Sequence, residues 1–109
     1  MPEVLKTLGQ SAPLATTNTD LYTVPASTST VGSCLNVCNR AATTGTFRIA
    51  VRTGGAAIEN KHYIAYDSEL NGNAFVPVQI GMTLATTDVV TVYASSANFS
   101  FNLFGSEVS

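Results

Sequence analysis

The run Leu21-Tyr22-Thr23-Val24-Pro25-Ala26, followed after a Ser/Thr-rich turn by Val31-Gly32-Ser33-Cys34-Leu35-Asn36-Val37-Cys38-Asn39, decides the fold class. It reads as strand, stop, turn, strand. Leu21 and Tyr22 give a strand over Thr19 to Val24 one large side chain for each of its faces. Pro25 has no N–H and ends ladder pairing. Ala26 to Thr30 turns the chain. Beyond it, Val31, Ser33, Leu35 and Val37 alternate with Gly32, Cys34, Asn36 and Cys38, and a period of two belongs to a strand. The first set is expected on the core face.

The same pattern extends in both directions. Over Thr46 to Thr53, Phe47, Ile49 and Val51 point one way and Arg48, Ala50 and Arg52 the other, until Gly54-Gly55 breaks the strand. Lys61 to Leu70 reads as a long strand, and Asn71-Gly72-Asn73 is a hairpin signal because Asn and Gly tolerate positive φ. Ala74 to Ile80 returns, with Pro77 marking an edge or a bulge. Gly81 to Asp88 reads as a connection. Val89 to Ala94 is a β-branched strand, and Phe99, Phe101 and Leu103 alternate with Ser100, Asn102 and Phe104 in the last one. About eight short strands and no amphipathic helix predict an all-β fold, a single antiparallel β-sandwich of jelly-roll or immunoglobulin-like topology. Periodicity does not separate the two topologies. Leu35, Val37, Phe47, Ile49, Val51, Phe99, Phe101 and Leu103 are the expected core.

Upstream, Val4 to Gln10 forms a short apolar segment, cut off by the Pro13-containing loop of residues 11–18. The sandwich domain is therefore expected over 19–109, with 1–18 an N-terminal arm or an edge strand. The arm is the favoured reading. A separate strand bearing Val4, Leu5 and Leu8 gains more by joining a neighbour's sheet edge than by staying solvated.

Composition narrows the function. The chain has 109 residues, a net charge of −2 and 11% charged residues, which suits one domain. Lys6, Arg40, Arg48, Arg52 and Lys61 are scattered rather than clustered, so no nucleic-acid partner is expected. No apolar run nears the ~20 residues of a spanning helix, so no membrane partner is expected either. Met1-Pro2-Glu3 lacks the basic and apolar regions of a signal peptide, which implies synthesis and use from the cytoplasm. Cys34 and Cys38 are then reduced. Four residues apart on a strand, they lie about 13 Å from each other, beyond the reach of about 7 Å for a disulfide.

Catalytic motifs are missing. There is no phosphate-binding Gly-x-x-x-x-Gly-Lys, no His-Glu-x-x-His and no Cys-x-x-Cys, so no metal, cofactor or catalytic residue is assigned and the chain is read as non-enzymatic. The single histidine, His62, reads as a half-buried or hydrogen-bonded strand residue. Asp67 and Glu69 would share a strand face about 6.6 Å apart, but any exposed strand carries such pairs. Asn98-Phe99-Ser100 matches the glycosylation sequon, and without a secretory signal it reads as chance. Arg48 and Arg52 share a face, which reads either as a solvated sheet face or as a charge-complementary contact with an acidic partner. The candidate protein-interface residues are thus Val4, Leu5, Leu8, Arg48 and Arg52.

A set of short motifs runs in order along the chain. They are Leu8-Gly9-Gln10, Thr19-Asp20-Leu21-Tyr22-Thr23-Val24-Pro25-Ala26, Val37-Cys38-Asn39-Arg40 and Phe47-Arg48-Ile49-Ala50-Val51. His62-Tyr63-Ile64-Ala65-Tyr66-Asp67, Asp88-Val89-Val90-Thr91-Val92-Tyr93-Ala94 and Phe101-Asn102-Leu103-Phe104-Gly105 follow. In this the chain resembles small virion structural proteins of tailed bacteriophages, notably those of cyanobacteria and marine bacteria. The resemblance implies a virion location and no catalytic residues. It implies a capsid decoration or cement protein whose partner is the major capsid protein, acting as a homodimer or homotrimer. The alternative it leaves is a tail-associated piece of a fibre, baseplate or adaptor, contacting tail proteins. A carbohydrate-binding sandwich is a third expectation, weakened by the absence of Trp.

Overall fold

The strands pair as one long hairpin rolled over on itself. The computed structural model describes residues 3–79 and 81–109, and it contains nine strands: β1 (Glu3–Ser11), β2 (Thr19–Thr23), β3 (Ser29–Asn39), β4 (Gly45–Arg52), β5 (Tyr63–Leu70), β6 (Phe75–Val78), β7 (Met82–Leu84), β8 (Val89–Ala94) and β9 (Phe99–Val108). The β4–β5 connection is the hairpin's tip. Going outward from it, β3 pairs with β6 and β7, β2 with β8, and β1 with β9, all antiparallel. Rolling the ribbon adds the pairs β3–β9 and β4–β8. The result is a five-stranded sheet in the order β1-β9-β3-β6, with β7 also against β3, facing a four-stranded sheet in the order β2-β8-β4-β5. This nesting is the jelly-roll topology, which settles the alternative that periodicity left open.

The two sheets bury their facing sides. Leu35, Val37, Ile49, Val90, Val92 and Leu103 are fully buried. Phe47, Phe99 and Phe101 form the centre, with ring centroids 6.3–6.4 Å apart. Such aromatic groups combine large apolar area with favourable edge contacts. Val51, expected in the core, is half-buried and packs against its margin.

Bulges account for several departures from the sequence reading. In β3 the register against β9 slips between Gly32 and Cys34. One extra residue reverses which side later residues face. Thr30 and Gly32 therefore point inward before the bulge, and Leu35, Val37 and Asn39 after it. Val31 and Ser33, expected in the core, are exposed. In β2 a register slip between Asp20 and Tyr22 lets both Leu21 and Tyr22 turn inward, so they do not serve opposite faces. The expected connection at Gly81 to Asp88 contains a strand: Met82 and Leu84 are buried and β7 extends the β6 side of β3. His62 ends a 3-10 turn at Asn60–His62 rather than lying in a strand.

The N-terminal segment is an edge strand of its own sandwich. β1 pairs with β9 of the same chain from Glu3↔Val108 to Ser11↔Phe101. The arm reading is therefore replaced. Leu8 packs against the core, which holds β1 home.

Candidate interaction surfaces

The outer faces of the two sheets differ in chemistry. On the five-stranded sheet, register places Leu5, Thr7, Gln10, Val31, Cys34, Asn36, Cys38, Phe75, Pro77, Ser100, Asn102, Phe104 and Ser106 outward. Between Glu3 at one end and Arg40 at the other, this face carries no charged side chain among the described residues. Arg40 is fastened at its rim, with Nε donating to Ser100 Oγ at 2.8 Å and Nη2 to the Ala97 carbonyl at 3.1 Å. Asn36 and Gln10 flank Asn102 on either side, and Gln10 Nε2 donates to Asn102 Oδ1 at 2.7 Å. Apolar groups stand proud of this polar row. Leu5 is 80% exposed, Phe75 67%, Val31 47% and Phe104 40%. Leu5, Val31 and Phe104 line one shallow depression with Ser33, Gly105 and Ser106, and Lys6, whose ammonium group turns to Glu107, borders it.

The outer face of the four-stranded sheet is charged, and both of its arginines are engaged within the chain. Arg48 lies between two tyrosine rings, its guanidinium carbon 4.2 Å from the centroids of both Tyr66 and Tyr93. Nε and Nη2 donate to the two carboxylate oxygens of Asp67, at 2.7 and 3.3 Å. That contact, more than any other influence, raises the arginine's pKa. Asp67 reaches Arg48 from a bulge in β5, where it takes φ 52. This short polar side chain tolerates the left-handed region better than most. Arg52 is equally occupied. It donates to Asp20 Oδ1 at 2.9 Å, to Thr91 Oγ1 at 3.0 Å, and to the carbonyls of Gly55 and Ala56. A contact with an acidic partner at either arginine would have to displace these groups. Asp67 serves Arg48 and does not act with Glu69, which stands opposite Thr46.

A polar strut ties the sheets together at the chain ends. Tyr22 on β2 donates its hydroxyl hydrogen to Glu107 on β9 and lies 2.8 Å from Thr30 Oγ1 on β3, while Lys6 on β1 pairs with the other Glu107 oxygen at 3.2 Å. Burial, and next the bond to Glu107, pushes the Tyr22 pKa up to about 12. The Tyr22 hydroxyl holds Glu107 below the usual carboxylate range, against the opposing effect of burial and with the help of Lys6.

The remaining reactive groups are dispersed. Cys34 and Cys38 are free and half-buried on the uncharged face. His62 is buried, and its Nδ1 accepts a hydrogen bond from the Glu59 amide at 2.9 Å, which closes the local turn. Among the described residues no three His, Cys, Asp or Glu side chains converge.

The chain matches no protein-family model, no curated protein and no solved structure. Of the residues singled out from sequence, Leu5 lies on the uncharged outer face, Val4 is half-exposed on the other side of the same edge strand, and Leu8 is turned into the core margin. Arg48 and Arg52 sit together on the opposite sheet. Val31, Phe75 and Phe104 are not among the interface candidates drawn from the sequence. Phe104 was visible as the outward member of an alternating run, whereas Val31 was hidden by the bulge that reverses its side.

Proposed function

We infer that this chain is a non-enzymatic structural protein of a tailed-phage particle, binding the outer capsid shell as a decoration or cement protein. The observation that carries this reading is the uncharged outer face of the five-stranded sheet, with Leu5, Val31, Phe75 and Phe104 exposed on it. Interface centres are depleted of charge and enriched in aromatics, and exposed apolar patches mark interaction sites. The sequence likeness described above supplies the partner, the major capsid protein. The jelly roll is used by viral capsid domains and also by lectins, so the fold agrees with the reading without deciding it. In this reading copies attach where capsid subunits meet, and each stabilises the shell by bridging neighbours. Self-association of the copies would raise avidity without strong single contacts.

Electron microscopy of purified particles tests the location. Density for this chain on the outer shell at hundreds of copies supports decoration. Few copies confined to a fibre, baseplate or adaptor move the same docking face to the tail. Absence from particles ends the virion reading. A second reading has its own observation. Tyr66 is 56% exposed and shares a shallow groove with Tyr63 and Asn60, where the part of its ring not covered by Arg48 and Tyr63 is the surface offered to a sugar. Glycan-array binding that is lost in Tyr66→Ala would favour host-surface carbohydrate recognition.

A further inference from the structure

Every jelly roll leaves sheet edges open, and open edges invite pairing. In this chain most of them are blunted. β5 carries two register slips, one on each side of its Ile49↔Ala65 pair. β2 has a bulge between Asp20 and Tyr22. β6 is four residues long and includes Pro77, and β7 has three residues. β1 is the exception. Its register against β9 is unbroken from Glu3 to Thr7 and slips only between Thr7 and Gly9. Its other edge has no ladder partner among the described residues. Along this straight run apolar side chains are exposed on both sides of the strand, Val4 at 51% and Leu5 at 80%. A core strand hides such residues and a protected edge lacks them.

We propose that the β1 edge pairs antiparallel with the β1 edge of a second copy, on a two-fold axis through Leu5. A two-fold contact must be self-complementary, and side chains of paired strands must share a face, so the axis passes through a residue. An axis at Lys6 would set two lysines directly opposite, which is destabilising. An axis at Thr7 would run the ladder into the bulge. The axis at Leu5 uses the straight run symmetrically: Leu5 meets its counterpart, Val4 lies beside Lys6, and Glu3 lies opposite Thr7. The lysine stem then covers Val4, as long side chains do, while its ammonium group stays with Glu107. The pairing also joins two Leu5–Val31–Phe104 patches into one continuous sheet face. Five paired residues make a small interface, so the dimer is a weak, concentration-dependent one. The proposal does not depend on a virion role. Combined with such a role, it presents two docking faces side by side.

Sedimentation equilibrium of the full chain tests this without any particle. Wild type should shift from monomer to dimer between low micromolar and submillimolar concentration. Leu5→Lys should weaken association by about tenfold or more with an unchanged circular dichroism spectrum, because the side chain is exposed. Cysteine trapping then tests the register in a Cys34→Ser/Cys38→Ser background. Leu5→Cys should form a disulfide-linked dimer under mild oxidation, since residues at the axis are adjacent. Thr7→Cys should not, because its counterpart lies about 13 Å away along the ladder. A monomeric wild type throughout the range overturns the proposal. So do dimers that survive Leu5→Lys, or trapping that is equal at both positions.

Discussion

Asn39 offers the sharpest test of how the β3 end is held. It is fully buried. Its Nδ2 donates to the carbonyls of Thr43 at 2.9 Å and Leu70 at 3.0 Å, and its Oδ1 accepts from the Ala41 amide at 3.0 Å. The residue thereby pins the loop after β3 to the end of β5. The fit is close: a Cβ at Gly72 in the following turn would come within 2.3 Å of the Ala42 carbonyl carbon. Asn39→Ala removes all three bonds. The Leu70 carbonyl lies deepest, and stranding it costs about 1–3 kcal/mol. The other two groups reach water more readily and cost about 0.5–1 kcal/mol each. The sum is about 3 kcal/mol, or a Tm lower by at least about 12 °C. Asn39→Asp should be worse at neutral pH, because a carboxylate then faces two carbonyl oxygens and donates to neither. That environment raises the folded-state pKa of the new acid. Its stability relative to wild type should therefore recover as pH falls through that value, where the protonated acid donates once, and be lost again as pH rises. Urea unfolding followed by circular dichroism, with wild type at each pH as reference, measures both effects. An Ala variant within about 0.5 kcal/mol of wild type, or an Asp variant more stable than Ala at neutral pH, would refute the account.

Phe47→Ala, at the centre of the aromatic group, should cost about 3–5 kcal/mol, and an unchanged urea midpoint would contradict its inward placement. Glu107 is held below its usual pKa, so its contribution to stability is present above the ordinary carboxylate value and lost as pH falls through the lowered one. Glu107→Gln should flatten the acid limb of a stability–pH curve, and an unaltered limb would remove Glu107 from it. Tyr22 has a raised pKa, so its contribution persists below pH 10 and fades as pH rises toward about 12; Tyr22→Phe should abolish that alkaline loss in thermal melts. Stability should not depend on a Cys34–Cys38 bond, and non-reducing mass spectrometry that finds this link in native protein would overturn the β3 assignment.

The strands that alternate without interruption were legible from sequence. Phe47-Arg48-Ile49 and Phe99-Ser100-Phe101-Asn102-Leu103 place their apolar members inward as period two requires. What escaped depends on tertiary register. An inserted residue in β3 has no local signature, since Gly32-Ser33-Cys34 reads as one more alternation, yet it moves Val31 from core to surface. Met82-Thr83-Leu84 is too short for a periodic signal and becomes a strand only because β3 offers it an edge. The Arg48 site also lay beyond a linear reading. Asp67 and Tyr66 are adjacent in sequence, but Tyr93 arrives from β8 and completes the sandwich only in three dimensions. For the N-terminal segment, the apolar residues announced a strand, while the choice of its own β9 as partner followed from Leu8 finding a place at the core margin.

The β1–β9 ladder has a mechanical meaning. Glu3 stands opposite Val108, so the ladder begins beside both ends of the described chain. Its hydrogen bonds run across the strands. Tension applied between these two ends would load the bonds one pair at a time and peel β1 away like a zipper, at low force. A push delivered onto the broad sheet faces would instead be borne by the close-packed side chains between the two sheets, because the ladder bonds lie in the sheet planes. The molecule is thus strong as a tile pressed against a support and weak as a link in a chain, and handles for single-molecule pulling at these ends should record the weaker of the two.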